Sequence, residues 1–398
     1  MTALRQRLAP FFELQDVATA RWLPMEGLRG FAVGLVFFVH YATLAEPFVL
    51  GGDRAPALWL SALHELGNVG VDLFFVLSGF LIYKACIQRP LDIRRYAYRR
   101  VERIYPTFLV VLAIYLALML LMPSASKLPD GAAAQALYIA ANVLLLPGML
   151  SITPIILVAW SLSYEAFYYI LAPLAVAALR MRAWQAGQRF AFFLAVYLVM
   201  IGMELAGLGT HFRLSMFLGG MALYEFAYHL RGVREGQADW PRDAASLALV
   251  ALAFAYYVAL ADAPVAVPSA LNGALPAFTR TVALNVAFVT LVYRSVFTPG
   301  LAAGLFSWTP LRWLGNMSYS FYLLHGLALQ AFFLLFGKLM PVQGGGAGLF
   351  LLLLAPAFAA SLALTLPIYL LVEKPLSLSP TAKPARGKLD NTTQIEVP

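Results

Sequence analysis

Residues 25–40 read Met25-Glu-Gly-Leu-Arg-Gly-Phe-Ala-Val-Gly-Leu-Val-Phe-Phe-Val-His40. Between Arg29 and His40 no side chain is charged, and the apolar run continues past His40 to Ala45. A run of about twenty apolar residues is what one helix needs to cross a bilayer. The same pattern recurs along the chain and predicts ten crossings: 28–46, 68–87, 104–122, 153–178, 190–206, 212–230, 244–261, 275–296, 314–337 and 347–372. The segment 135–149 is apolar too, but it is short and holds Pro147 and Gly148, so it reads as an interfacial or re-entrant piece. Of the 398 residues, 61% are hydrophobic and only 12% charged, against about a quarter charged in soluble domains. That excludes an ordinary soluble enzyme, a disordered chain and a coiled coil. A membrane β-barrel needs alternating segments of about ten residues, which are missing. The fold class is therefore all-α: a polytopic membrane protein of about ten helices.

The basic residues orient it. With both termini cytoplasmic, 23 of the 28 Lys and Arg fall on the inner side, leaving Arg54, Lys127, Arg213, Arg280 and Lys338 outside. Such an excess is the inside signal of membrane topology. The net charge of +8 thus reports orientation in the lipid bilayer and not a nucleic-acid footprint. Three regions follow: a cytoplasmic or interfacial segment 1–27, a membrane domain 28–375, and a polar tail 376–398 expected to be disordered and cytoplasmic. The first twenty residues lack the apolar core of a cleaved signal peptide. The lone Cys86 forms no intrachain disulfide, and no Cys/His spacing suits a metal.

Ionisable residues inside spans are costly and tend to mark function. Arg29 and His40 are eleven residues apart, about 20° beyond three full turns, so they share one helix face roughly 16 Å apart along the axis. Either alone reads as well as a snorkelling anchor or a packing histidine; together they suit a ligand with an anionic head inside and a reactive end at mid-depth. Asp72, near the outer end of the second span, is expected to approach His40 and orient its imidazole, or else to favour its own helix N-terminus. Arg100 and Arg103 are i, i+3 neighbours at the inner mouth, a guanidinium pair shaped for phosphates, or for anionic lipid. Glu165 sits among aromatics in Trp160-Ser-Leu-Ser-Tyr-Glu165-Ala-Phe-Tyr, with Arg213 or Arg280 as possible partners. His325 follows the hydroxyl-rich turn of Ser318 and Tyr319.

These motifs in order resemble the acyltransferase 3 family of bacterial integral-membrane proteins. The likeness covers about residues 20–375. It rests on Glu26-Gly-Leu-Arg-Gly30 with His40, on Gly70-Val-Asp-Leu-Phe-Phe-Val-Leu-Ser-Gly-Phe-Leu-Ile82, and on Arg100-Val-Glu-Arg103. Two further stretches, Trp160 to Tyr168 and Leu314 to His325, complete it. Met25 stands where members often have Leu or an acidic residue. The resemblance implies a multi-pass protein of the bacterial inner membrane that binds no cofactor and moves an acyl group, by default acetyl, from cytoplasmic acyl-CoA to a hydroxyl of a glycan or glycoconjugate. Arg29, Arg100 and Arg103 match its donor-binding arginines and His40 its first-span histidine, acting as general base or acyl carrier with Asp72 behind it. Glu165, Arg213, Ser318, Tyr319 and His325 are expected to hold the acceptor or support the site. The competing class is a secondary transporter or flippase of anionic or lipid-linked glycans, which would use the same buried charges without consuming CoA.

The topology has a direct check. A reporter enzyme active only outside the inner membrane should be active when fused after Lys127 and silent after Arg89. The reverse pattern would overturn the orientation.

Overall fold

The computed structural model describes residues 2–14, 22–50, 58–206, 208, 212–230, 239–259, 274–340 and 344–378. Among these there is no strand. A short helix α1 (Thr2–Phe12) precedes the first span α2 (Leu23–Leu50). Then come α3 (Leu58–Asn68), α4 (Gly70–Ile87), α5 (Ile93–Leu121), α6 (Ala132–Val143), α7 (Trp160–Ala178), α8 (Ala186–Leu205) and α9 (Ser215–Glu225). The chain continues with α10 (Trp240–Ala259), α11 (Ala274–Phe297), α12 (Leu301–Phe306), α13 (Thr309–Asn316), α14 (Ser318–Leu339) and α15 (Gly346–Ile368). Two π-helical stretches, Phe226–Leu230 and Tyr369–Leu378, extend α9 and α15.

Among the described residues eight helices are long and apolar enough to cross a membrane, and α3 with α4 counts as one of them, Trp59–Ile87. The protein is an all-α polytopic membrane protein. The other two expected crossings are helical as well. One is α7, which opens on the polar Trp160-Ser-Leu-Ser-Tyr-Glu165; the other is α9 with its π extension to Leu230. The 12 residues of α6 span roughly 18 Å, short of the ~30 Å hydrocarbon core, as its reading as a re-entrant piece requires. The irregular stretch after it has its backbone met by side chains. Asn142 Oδ1 accepts from the Ile155 amide at 2.8 Å, and Ser163 Oγ accepts from the Gly148 amide at 2.9 Å. Non-helical backbone at membrane depth is tolerated only when met in this way. Of the expected tail 376–398, residues 376–378 end the last helix and 379–398 lie outside the described residues.

Helix α2 is the axis of the bundle, touching α3, α4, α11, α12, α13, α14 and α15. Pro24, in its first turn, needs no intrahelical partner for a missing amide, and 15 of its 28 residues are buried. Association within lipid lacks a hydrophobic driving force and depends on close packing at small residues. Two crossings here are set by glycine. A Cβ on Gly30 would stand 1.9 Å from the Leu311 carbonyl oxygen of α13. A Cβ on Gly79 of α4 would stand 2.1 Å from the Phe217 carbonyl oxygen of α9. Beside that second crossing Phe217 stacks between Phe75 and Tyr168, with ring centroids 4.6 and 4.1 Å away.

Gly79→Ala should therefore destabilise the protein by about 1–3 kcal/mol, since backbone would have to move. Gly34→Ala, with nothing within 4 Å of the added methyl, should be neutral or stabilising by up to about 1 kcal/mol. Thermal unfolding of both variants in detergent checks the contrast, and equal effects would refute the close-contact reading.

Candidate functional site

Helices α2, α4, α5, α7 and α14 line a cavity of about 180 Å³ whose wall carries three arginines. Arg29, Arg100 and Arg103 line it together with Ser78, Glu165, Tyr169, Ser318, Tyr319, Ser161 and Tyr322. The N-cap of α5 sets the arginine pair: Asp92 accepts the Arg95 amide at 3.1 Å, starting a helix that carries Arg100 and Arg103 to the cavity. Arg100 lies between the rings of Tyr96 and Tyr169, each 4.8 Å from its guanidinium carbon. Arg103 donates to Glu373 at 3.3 Å and lies 5.7 Å from the Tyr319 ring. Arg29 donates to Ser318 Oγ at 3.1 Å.

Among the described residues neither Arg29 nor Arg100 forms an ion pair, whereas most buried arginines elsewhere do. Arg312 binds Glu13 at 2.6 Å and Glu26 at 2.9 Å; Arg189 binds Glu225 at 2.6 Å; Arg294 binds Asp243. Glu165 is the single carboxylate on the cavity wall against three guanidiniums. A concave, low-dielectric site of that balance concentrates anions, and guanidinium forks match phosphate.

The cavity climbs α14 from Ser318 to Tyr322, whose hydroxyl is 2.8 Å from Ser161 Oγ and donates to the Val158 carbonyl at 3.0 Å. Beyond it lies a pair of histidines. The Tyr322 and His325 ring centroids are 6.2 Å apart, and His325 Nε2 is 3.3 Å from His40 Nδ1. Arg29 meeting Ser318 and His40 meeting His325 shows that α2 and α14 ascend side by side. His40 is half-buried and His325 fully buried.

Two expected placements need correction. Asp72 does not orient His40: it is 2% exposed and paired with Arg213, Nε to Oδ1 3.2 Å, while His40 uses Val36 O and His325. The reason is register. Residues 58–67, expected as outer loop, belong to α3, and it is Gly67 that packs on Val39. Asp72 thus lies five residues, roughly 7 Å, deeper along the antiparallel helix. Glu165 does not join Arg213 or His325 either. It accepts from Tyr169 at 2.5 Å and Ser78 at 3.3 Å, on the arginine side of the cavity, because it meets α4 at Ser78, six residues or about 9 Å along that helix from Asp72 and its partner Arg213. Arg213 instead lies 5.5 Å from the Trp160 ring, and Arg280 pairs with Glu65 at 2.7 Å while covering Tyr257. Ser318 and Tyr319 line the arginine cavity.

Sequence reasoning missed Glu373, Tyr169, Tyr322 and Ser78. Glu373 is 0% exposed and holds both Arg103 and the Ser320 amide and hydroxyl, the last two at 2.9 and 2.6 Å. Its signal was an acidic residue closing the last apolar run, beside Lys374 and Pro375.

The sequence profile described as an acyltransferase domain, that of acyltransferase family 3, matches residues 23–370. The chain belongs to the acyltransferase 3 family. Every residue that lines the cavity falls within that match, and Glu373 lies just beyond it. Among curated proteins the chain resembles the O-acetyltransferase OatA of Staphylococcus aureus strains COL and MRSA252, at 31% identity over 117 residues. That stretch is 28% of this chain and 16% of the relatives, so the match spans only a small part of their length. No solved structure matches the chain significantly.

The Asp72–Arg213 pair is one of stability. Asp72→Asn and Arg213→Ala should each cost about 1–3 kcal/mol, the partial exposure of Arg213 holding the figure down. The double variant should cost little more than either single one. A double-mutant cycle on thermal unfolding measures this coupling, and additive effects would show that the pair carries none.

Proposed function

We propose that the protein is an O-acyltransferase of the bacterial inner membrane, with both termini cytoplasmic, that moves an acyl group, by default acetyl, from cytoplasmic acyl-CoA to a hydroxyl of a glycan or glycoconjugate. The observation that carries this reading is the continuity of one cavity from three guanidiniums, two of them without a carboxylate partner, up to the turn below the His40–His325 pair. The donor's phosphates bind Arg29, Arg100 and Arg103, and the flexible pantetheine arm follows α14 past Tyr319 toward Tyr322. Glu165 and Ser78 face the arm's amides. To bring the thioester to His40, the Tyr322–Ser161 hydroxyl contact opens.

His40 then acts in one of two ways. As general base, it takes the proton of the acceptor hydroxyl while the oxygen attacks the thioester carbonyl. The C–S bond breaks, and the CoA thiolate leaves and collects the proton. As acyl carrier, its free nitrogen attacks the thioester carbonyl, the C–S bond breaks and the CoA thiolate leaves; the acceptor hydroxyl then attacks the acyl-imidazole, the C–N bond breaks to restore His40, and the hydroxyl proton passes to the thiolate. On the outer side, Arg213 beside Trp160 offers a cation and a ring face to the acceptor. The family membership and the likeness to an O-acetyltransferase support the reaction class; the cavity's charge supports the donor.

Thioester consumption by the purified protein in nanodiscs, with acetyl-CoA and a panel of bacterial glycan extracts, tests the proposal. Acceptor-dependent CoA release should fall about 10²–10⁴-fold in His40→Ala, the usual weight of one acid/base group. Arg29→Gln and Arg100→Gln should raise KM for acyl-CoA about tenfold or more, as loss of a charge-assisted contact does. They are cleaner than Arg103→Ala, which would strand the buried Glu373. A folded wild type that neither binds nor turns over any acyl-CoA would refute the proposal and turn attention to transport.

A further inference from the structure

We propose that His325 is a positioning residue that fixes the tautomer of His40, holding the proton on Nδ1 and leaving Nε2 as the reactive nitrogen. Its role in turnover rests on the acyltransferase reading; the pairing itself does not.

The assignment follows from counting donors and acceptors. His325 Nδ1 lies 3.0 Å from the Phe321 carbonyl oxygen, and His40 Nδ1 lies 2.9 Å from the Val36 carbonyl oxygen. A carbonyl only accepts, so each Nδ1 carries a hydrogen. His325 Nε2, 3.3 Å from His40 Nδ1, must then be the bare nitrogen, accepting the same N–H that reaches Val36. The alternative fails on both sides. A bare His40 Nδ1 would point its lone pair at Val36 O, and would need a hydrogen on His325 Nε2. With Nδ1 already protonated, His325 would be a cation at 0% exposure, and no described carboxylate lies within 4 Å of it.

Ring geometry agrees. The two imidazoles meet edge to face, centroids 4.9 Å apart at 82°, so the in-plane lone pair of one can meet the edge of the other. His325 is itself held by Phe321, stacked at 5.8 Å and 5°. Val36 O alone fixes His40 poorly, because as the i−4 carbonyl it also takes the backbone amide of His40. His325 supplies an acceptor belonging to another helix and sets the ring's rotation. His40 Nε2 has no hydrogen-bond partner among the described residues, and His40 is half-buried, which leaves that nitrogen for substrate. The partner of one ring nitrogen commonly determines the state of the other; here an imidazole takes the place more often filled by a carboxylate.

The test is nitrogen-15 NMR of the protein with labelled histidine in nanodiscs. There are five histidines, and the His40 signals are assigned by their loss in His40→Gln. Without substrate, His40 should show a protonated Nδ1 and a bare Nε2, against the preference of a free imidazole side chain for a hydrogen on Nε2. In His325→Phe, which keeps a ring among its aromatic neighbours, His40 should become a mixture of tautomers. There kcat should fall about five- to tenfold, the weight of one neutral hydrogen bond, with KM for acyl-CoA unchanged. His325→Gln places a carbonyl oxygen near the former Nε2 and should recover most of the loss. A wild-type spectrum with His40 protonated on Nε2, or a His325→Phe spectrum unchanged from wild type, would overturn the proposal. The expected spectra in a protein that transfers no acyl group would uphold the pairing and refute the acyltransferase reading alone.

Discussion

Backbone contact between α2 and its neighbours is the constraint on which the rest depends. On one side Gly30 lets the Leu311 carbonyl of α13 approach within what would be the space of a methyl group; on the other, Gly67 and Gly70 admit Val39 and Ala32. A helix gripped by backbone on two faces cannot slide or turn, because interiors packed this densely respond to displacement by clash and not by compression. Arg29 and His40 are thereby held at fixed heights, one at the anion-collecting end and the other against His325. The distance between the two ends of the site is a property of one rigid helix.

Charge is handled in two ways in this bundle. At several helix ends a buried or partly buried arginine meets a carboxylate, as in Arg312 with Glu26 and Glu13, Arg189 with Glu225, and Arg294 with Asp243. Such pairs offset desolvation and lock helix to helix. At the cavity the rule is relaxed. Arg100 has aromatic rings for neighbours and Arg29 a serine hydroxyl, arrangements that leave most of their donors to be met by something else. The arginines of the bundle are thus structural cement where a carboxylate meets them and open donors where none does.

Much of this was legible in the sequence, and what was not has an identifiable cause. The helical character of the ten expected spans, the short α6, the shared face of Arg29 and His40, and the Arg100–Arg103 pair follow from periodicity and run length, which are local. The family motifs mark the same residues. What escaped is non-local. His325 lies 285 positions from His40, and nothing in either span announces the other. Asp72 was placed too far out because residues 58–67, interrupted by polar residues and ending in Gly67, read as loop when they are helix. Glu165 was assigned to the cations near Asp72, whereas its partner on α4, Ser78, lies six residues past Asp72 on the wall of the arginine cavity. Depth in a membrane is counted from helix ends, so an error of one or two turns at an end moves every polar residue to the wrong partner.

The buried pair between Glu26 and Arg312 has a consequence for biogenesis. Its members are 286 residues apart, and ribosomes add about 5–20 residues per second. For roughly 15–60 s of synthesis the first span is therefore present while its cation does not yet exist. During that interval the N-terminal end of α2 has no way to close on α13, and the carboxylate must stay at the hydrated interface or carry a proton. The site cannot assemble before the ninth span arrives, so the nascent chain passes most of its translation as a set of inserted helices whose central member waits for its lock.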